Sequence, residues 1–352
     1  MTGVMTLRKH RFFDIAKLLS IGLLSLFGLP VLALADPLPS WQSGEHKNAI
    51  IDFVEMTTDP DSEDFVPQAR RIAVFDNDGT LWSEQPYYFQ LAYALDRAEN
   101  APEGALSEAL QTAVDNRDLA AILAGGNESL LDIVNVSHSG MTVDAFQDDV
   151  GNWLADARHP KTGLAYDEMV FQPMLELLVY LRDAGYVTYI VSGGGIDFMR
   201  VFAEDAYGIP PQNVMGSTGK LAVSREGGEM TLVKQGDIAG LDDGDGKPIT
   251  IQRTLGQRPI IAVGNSDGDV PMLTWTTEGD GPRLGVLIHH TDGEREVAYD
   301  RESAIGKLDQ GLDEAEQRQW VLVDMAEDWR TVYDATLDGQ SRREADPQAA
   351  SQ

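Results

Sequence analysis

The chain has 352 residues, of which 43% are hydrophobic and 24% are charged, and its formal net charge is −30. This length and composition indicate a folded protein of one large or two modest domains and exclude a chain that is disordered throughout. The lack of cysteine excludes disulfide bonds and thiolate metal sites. The acidity argues against nonspecific nucleic-acid binding and against docking on anionic lipid.

The first 35 residues differ from the rest of the chain. Four basic residues lie between positions 8 and 17, and an apolar stretch without charge follows over 18–35. The stretch ends Ala33-Leu34-Ala35, with small residues at the positions typical of a cleavage site. We therefore predict that residues 1–35 are a signal peptide cleaved near Ala35/Asp36, the alternative being an uncleaved membrane anchor. No second apolar run could span a bilayer, so the mature protein is expected to be periplasmic or secreted, without stable membrane association after processing.

The first predicted elements surround a short apolar run. Residues 36–70 are expected to form an N-terminal segment that packs on the core, with a short helix over 49–55. The run at 72–75 is typical of a buried parallel strand. From 87 to 158 apolar residues recur every three or four positions, which predicts helices without strands. We expect this region to form an all-helical cap domain over 84–165, inserted between the core segments 71–83 and 166–335.

Helices and strands alternate after the helical region. The pattern predicts a helix from Pro173 to Gly185, whose proline suits a first turn and whose glycine suits a helix end. Further predicted elements are a strand at 187–191, a helix at 196–207, a hairpin of 220–223 with 230–233, a helix at 249–255, and strands at 260–263, 284–288 and 320–323. The polar residues 336–352 are expected to be disordered. Such alternation predicts an α/β fold with a Rossmann-like, doubly wound parallel sheet.

Polar segments follow three of the predicted strands, after residues 75, 191 and 263. Ligands of such sheets bind beyond the carboxyl ends of the strands, so these segments are expected to meet. Asp76 and Asp78 come first, and two carboxylates this close repel each other unless a cation or a shared proton intervenes. The pair suits a hard cation such as Mg²⁺, and one carboxylate can act as a nucleophile while the other handles protons. A simple turn is the alternative.

The second segment and a later lysine suit an anion. The Ser192 hydroxyl and the backbone N–H groups that begin at Gly193 are good anion ligands at a helix start. Lys247, just before a predicted helix, could neutralise a phosphate, although a surface lysine is the simpler interpretation. Lys220 and Lys234 in the predicted hairpin are alternatives.

The third segment, Gly264-Asn265-Ser266-Asp267-Gly268-Asp269, supplies further oxygen ligands. Taken with Asp76-Asn77-Asp78-Gly79-Thr80, Ser192 and Lys247, in this order, it resembles the haloacid dehalogenase superfamily of phosphohydrolases. The resemblance covers roughly residues 70–335. It is nearest to the phosphoserine-phosphatase-like subclass, whose helical cap lies between the first two motifs. Together with the predicted signal peptide, it describes an exported member of that group.

The resemblance implies a role for each motif residue. Asp76 would attack phosphorus and become an aspartyl-phosphate, while Asp78 would protonate the leaving oxygen and later deprotonate water. Ser192 and Lys247 would hold the phosphoryl oxygens. Mg²⁺ would be bound by Asp76, the backbone carbonyl of Asp78, and the residues at 265 and 269.

One position departs from the family pattern. The last motif commonly begins Gly-Asp, whereas this chain has Asn265, whose neutral amide oxygen would bind Mg²⁺ with less charge. Asp269 matches the second acidic position of the motif, and Asp267 is a further candidate ligand. Weak metal affinity is therefore expected.

Aromatic and acidic residues follow the first motif closely. Trp82, Glu84, Tyr87 and Tyr88 are candidates for substrate selection, for example as a cation–π pocket for an amine-bearing leaving group. Packing of the rings in a core or hinge is the alternative. His289 and His290 are expected to be structural or at the surface.

Together these patterns predict Mg²⁺-dependent hydrolysis of small phosphomonoesters through an aspartyl-phosphate. The expected partner is a small phosphorylated metabolite and not a nucleic acid. Two alternatives stay open at this point: a phosphotransferase that uses an alcohol acceptor, and a non-catalytic protein that binds a phosphorylated ligand.

Overall fold

A seven-stranded sheet forms the centre of the structure, a computed structural model that describes residues 36–334. The strands are β1 Ile72–Phe75, β2 Val187–Gly195, β3 Val214–Ser224, β4 Thr231–Gly240, β5 Ile261–Gly264, β6 Leu284–His289 and β7 Val321–Asp324. Their order across the sheet is β4-β3-β2-β1-β5-β6-β7. All neighbours pair in parallel except β3 and β4, which form an antiparallel hairpin. The predicted α/β Rossmann-like sheet is therefore confirmed.

Helices flank this sheet and fill the region after β1. They are α1 Glu45–Thr58, α2 Phe89–Ala98, α3 Glu108–Asp115, α4 Leu119–Ala124, α5 Gly126–His138, α6 Val143–Asp156, α7 Gln172–Asp183, α8 Ile196–Met199, α9 Ala203–Tyr207, α10 Gly246–Leu255, α11 Val270–Thr277, α12 Gln310–Arg318 and α13 Met325–Asp328. Within residues 36–334 no helix is both long and apolar enough to cross a membrane. The predicted signal peptide and the predicted disordered tail lie outside the described residues.

The side chains of β1 divide between two apolar clusters because successive strand residues point to opposite faces. Ala73 and Phe75 pack in one cluster, which also contains the apolar face of α7. Ile72 and Val74 pack in the other, with α11. All four residues are buried, so the strand fixes the residues that follow it at the carboxyl edge of the sheet.

The helical region after β1 has two kinds of packing. Helices α2 to α5 share a small apolar cluster of their own. Helix α6 contributes Phe146, Val150 and Trp153 to the large cluster that includes the sheet, and a second face of α2 packs in that cluster as well. The predicted helices are present between residues 89 and 156, and the last of them is tied to the core.

Some elements differ from their sequence predictions. Strand β2 continues through Ser192 to Gly195 because Ser192 pairs with Gly216 and Gly195 with Ser217, around an irregularity in the register. The single helix predicted over 196–207 is the two short helices α8 and α9. Lys247 lies in the first turn of α10 and not before it. Helices α11 and α12 were not predicted: α11 is apolar on most sides and shows no polar stripe, and α12 has only a narrow apolar face around Leu312 and Ala315.

Candidate active site

The three polar segments meet at the carboxyl edge of the sheet, as the strand order requires. Because β1 lies between β2 and β5, Asp76 is flanked by Ser192 on one side and by Asn265 on the other. The backbone N–H of Asp76 donates to the Val263 carbonyl at 2.9 Å, which extends the β1–β5 pairing by one residue. The convergence predicted from the motifs is thus present.

Lys247 joins two of these segments. Its Nζ donates to Asp76 Oδ1 and to Asp269 Oδ1, both at 2.6 Å, and to the Val191 carbonyl at 3.0 Å. The side chain is only 2% exposed. Burial lowers its pKa, but Asp269 and Asp76 together raise the pKa above its ordinary value, so the ammonium group stays charged. Of the three candidate lysines, Lys247 is therefore the one that contacts the motif carboxylates.

The pKa values of the first two carboxyl groups are raised from their ordinary values. Burial, reinforced by Asp269, raises the pKa of Asp76 well above its ordinary value, although Lys247 opposes the shift. Burial also raises the pKa of Asp78, and a hydrogen bond from Trp82 Nε1 to Asp78 Oδ1 at 2.8 Å partly offsets it. A carboxylic acid with a raised pKa is suited to donate a proton near neutral pH.

The side chains of Asp269 and Asn265 form hydrogen bonds with other groups of the protein. Asp269 Oδ2 accepts from the backbone N–H groups of Asn265 at 2.9 Å and Ser266 at 3.0 Å, while its other oxygen contacts Lys247. Asn265 Oδ1 accepts from Thr80 Oγ1 at 2.9 Å, and Asn265 Nδ2 donates to Glu84 Oε1 at 2.7 Å. Both side chains are buried, and neither is among the residues that line the cavity.

Glu84 brings a carboxylate next to the amide of Asn265. Its Oε1 also accepts from the Tyr299 hydroxyl at 2.7 Å, and the side chain lines the cavity although only 2% of the residue is exposed. Burial raises the pKa of Glu84 well above its ordinary value, against the hydrogen bond from Tyr299. The chain thus has an acidic group beside the neutral residue of the last motif.

The donor chemistry of this edge fits a hard divalent cation. Asp76, Asp78, Glu84 and Asp269 are four acidic groups in the same neighbourhood, and Lys247 is the cation that contacts two of them. Such oxygens are the ligands that Mg²⁺ prefers. Across residues 36–334 no group of three or more His, Asp or Glu side chains is arranged to hold a metal ion. Backbone carbonyls and water, which Mg²⁺ commonly retains, would therefore complete its coordination.

The four residues proposed for substrate selection are placed differently. Trp82 is 1% exposed and stacks on Phe202 with ring centroids 4.3 Å apart, so its ring is not free for a ligand. Tyr87 packs against the apolar clusters. Glu84 and Tyr88 line the cavity. The packing interpretation thus describes Trp82 and Tyr87, while Glu84 and Tyr88 can contact a ligand.

A cavity of about 340 Å³ opens beside the carboxylates. Asp76, Asp78, Ser192, Gly193 and Lys247 all line it. This size and enclosure suit a small-molecule ligand. The cavity continues past this group to the helices after β1 and to the β3–β4 hairpin.

Several residues that lie at the site were not predicted from the sequence. Gln90 of α2 accepts a hydrogen bond from the Gly195 backbone N–H at 2.6 Å and thereby ties the helical region to the glycine segment. Tyr299 contacts Glu84 from a region with no regular element. Neither has a local pattern that marks it. His290, expected to be structural, is 2% exposed and its Nε2 donates to the Gly79 carbonyl at 2.7 Å, which supports the turn of the first motif.

A family model of haloacid dehalogenase-like hydrolases matches residues 73–274, more than half of the chain. The chain belongs to this family. No curated protein matches it.

Solved structures with a similar fold include three bacterial proteins. A protein with unknown function from Bordetella pertussis Tohama I has 16% identity and a TM-score of 0.45, covering 73% of this chain and 99% of that one. A conserved protein of unknown function from Anaerococcus prevotii DSM 20548 has 17% identity and a TM-score of 0.44, covering 70% and 86%. A probable phosphoserine phosphatase from Vibrio cholerae has 16% identity and a TM-score of 0.40, covering 80% and 68%.

Proposed function

We propose that this hydrolase cleaves small phosphomonoesters through an aspartyl-phosphate on Asp76, with Mg²⁺ as its cofactor. The observation that carries the proposal is the contact of Lys247 with Asp76 on the wall of a cavity that Asp78 also lines. A nucleophile, a proton donor and a fixed cation then face one space, and family membership supports the same chemistry.

Asp76 is suited to the role of nucleophile. Lys247 contacts its Oδ1, which leaves Oδ2 for attack on phosphorus. The new bond joins Oδ2 to phosphorus while the bond from phosphorus to the ester oxygen breaks. Two successive transfers replace one difficult hydrolysis.

Asp78 is suited to move the proton in both steps. In its protonated form it gives a proton to the departing alkoxide, so the leaving group departs as a neutral alcohol. As a carboxylate it then takes a proton from the water that attacks the aspartyl-phosphate, and inorganic phosphate is released. Trp82 holds Asp78 in place through the indole N–H.

The phosphoryl oxygens need donors and positive charge, because phosphoryl transfer spreads negative charge over them. Ser192, the Gly193 backbone N–H and Lys247 would supply these from the cavity wall. Mg²⁺, held by Asp76 and the Asp78 carbonyl, would neutralise further charge on those oxygens. Asp269 positions Lys247 and the loop that carries Asn265.

The test is turnover of p-nitrophenyl phosphate by the purified protein, with and without Mg²⁺. We expect Mg²⁺-dependent release of phosphate that Asp76→Asn abolishes, because an amide oxygen cannot form the intermediate. Asp243→Asn is the matched control, since it also removes a carboxylate from the cavity wall but leaves the acidic group around Asp76 intact. Undiminished turnover in Asp76→Asn would overturn the mechanism.

We further propose that the protein is exported and that its helical region is a cap over the cavity. The support for export is the sequence pattern of residues 1–35. The support for a cap is that α2 and α5 contribute side chains to the cavity wall. Mass spectrometry of exported protein is expected to show an N-terminus at Asp36, whereas a membrane fraction that retains residue 1 would favour an anchor.

A further inference from the structure

The cavity wall away from Asp76 is largely apolar. Leu91 of α2, Leu131 and Val134 of α5, Phe146 of α6 and Phe198 of α8 all line it. A phosphate bound near Lys247 would leave the rest of its ester facing these side chains. Apolar surface of this kind favours a leaving group that loses little hydration on entry.

A buried lysine occupies the place where this wall could hold a cation. Lys234 of β4 is 5% exposed, and its Nζ lies 2.5 Å from Asp197 Oδ2 and 4.5 Å from the centroid of the Phe146 ring. A carboxylate and an aromatic face are the two partners that a cationic ligand requires. Lys234 uses both, so a second cation that enters at this position would meet like charge and would find Asp197 and the Phe146 ring already engaged.

An anionic leaving group finds no free partner on this wall either. Of the described residues, Lys234 and Lys247 are the only lysines or arginines that line the cavity; Lys234 is paired with Asp197, and Lys247 lies beside Asp76, where the phosphoryl group would bind. Burial, with a smaller contribution from Lys234, lowers the pKa of His138 to about 4, so this neighbour is neutral at pH 7. The carboxylates of Asp237 and Asp243 also lie on the wall and would repel an anion.

We propose that this wall is a subsite for an uncharged, apolar leaving group, and that Lys234 is the residue that excludes cationic ones. The inference rests on the proposed function and specifies its substrate class. It replaces the amine-bearing substrate suggested by the aromatic residues after the first motif, because Trp82 is enclosed by other rings and Phe146 already faces a cation.

The test compares two esters of nearly identical shape. Phosphocholine carries a quaternary ammonium group, and 3,3-dimethylbutyl phosphate carries a neutral carbon in its place. With the full chain and Mg²⁺, we expect kcat/KM to favour the uncharged ester by about tenfold or more, the range in which one pocket discriminates. A preference for phosphocholine would overturn the proposal.

Lys234→Met should reverse the preference, because it frees Asp197 and the Phe146 ring. We expect phosphocholine to gain about tenfold relative to the neutral ester. Arg225→Met is the matched control: it removes the same charge from the turn of the same hairpin, but Arg225 is exposed and does not line the cavity, so the ratio should not change. An unchanged ratio in Lys234→Met would overturn the role of Lys234.

A second variant guards against loss of folding, since Lys234→Met leaves a partly buried carboxylate without its partner. Lys234→Met with Asp197→Asn has no such charge and is expected to show a smaller gain for phosphocholine than Lys234→Met alone, because only the Phe146 ring is freed. An equal gain would overturn Asp197 as the acceptor of the cation.

Calorimetric binding of both esters to Asp76→Asn separates this proposal from the proposed function. Tighter binding of the neutral ester supports the subsite even if no ester is turned over, whereas tighter binding of phosphocholine overturns it.

Discussion

Replacing Asn265 by aspartate tests how the acidic site is arranged. In the family pattern an aspartate is common here, so restoring it would seem to strengthen the metal site. Without bound metal, the structure predicts that the substitution lowers the stability of the protein, because Asn265 Nδ2 donates a hydrogen bond to Glu84 Oε1 at 2.7 Å. Asn265→Asp replaces this attraction with two carboxylates in contact.

The magnitude follows from that distance. The hydrogen bond to a charged acceptor that is lost contributes about 1.5–3 kcal/mol. Two full charges 2.7 Å apart would repel by about 6 kcal/mol at an effective dielectric constant of about 20. Because such a pair relieves its repulsion by binding a proton, we expect the free energy of unfolding at pH 8 to fall by about 2–4 kcal/mol.

The assay is urea unfolding followed by tryptophan fluorescence, with and without Mg²⁺. Asn265→Asp should unfold at lower urea than the wild type without Mg²⁺ and should gain more stability from added Mg²⁺, because a bound cation separates the two charges. Glu84→Gln combined with Asn265→Asp exchanges donor and acceptor, so it should recover most of the loss. It should also lower the Mg²⁺ concentration needed for half-maximal activity relative to the wild type.

Thr80→Val is the control, because it removes the other side-chain hydrogen bond of Asn265 without adding charge. Thr80→Val should lower the free energy of unfolding by about 1 kcal/mol, and adding Glu84→Gln should not restore that stability. If Asn265→Asp unfolded at the same urea concentration as the wild type without Mg²⁺, the reasoning would be refuted, because the two positions would not be coupled.

Two further predictions concern positions away from this pair. Trp82→Phe removes the indole N–H that Asp78 accepts but keeps a ring to stack on Phe202, so we expect kcat to fall about tenfold with little change in KM, measured by steady-state kinetics. Burial raises the pKa of Asp242 from 3.8 to about 6, so its ionisation opposes folding, and the stability present below pH 4 is lost as the pH rises through 6. Asp242→Asn should therefore match the wild type near pH 4 and exceed it by about 3 kcal/mol at pH 8 in urea unfolding, and equal stabilities at pH 8 would contradict this.

The parts of the fold that the sequence predicts are those with a local pattern. Strand β1 has the predicted bounds because four consecutive apolar residues fill both faces of the sheet. The motif residues meet because parallel strands end at one edge. Helix α11 was missed because it is buried on most sides and shows no polar stripe.

The parts of the site that the sequence does not predict depend on contacts between distant segments. Nothing near Glu84 indicates that it binds Asn265, 181 residues away, or that Tyr299 completes the contact. Lys234 was considered only as a phosphate ligand, because its pairing with Asp197 depends on how the hairpin lies over α8. The motif spacing predicts the chemistry, whereas tertiary packing decides which side chains select the substrate.

The contact between Lys247 and Asp76 joins residues 171 positions apart. A contact of such high sequence separation forms only after most of the chain has been ordered, since the entropy of closing the intervening loop must be overcome first. A chain that ends before residue 247 contains the nucleophile but lacks its cation. Turnover therefore reports completion of folding, and enzyme activity during refolding should recover no earlier than the fluorescence of the core tryptophans.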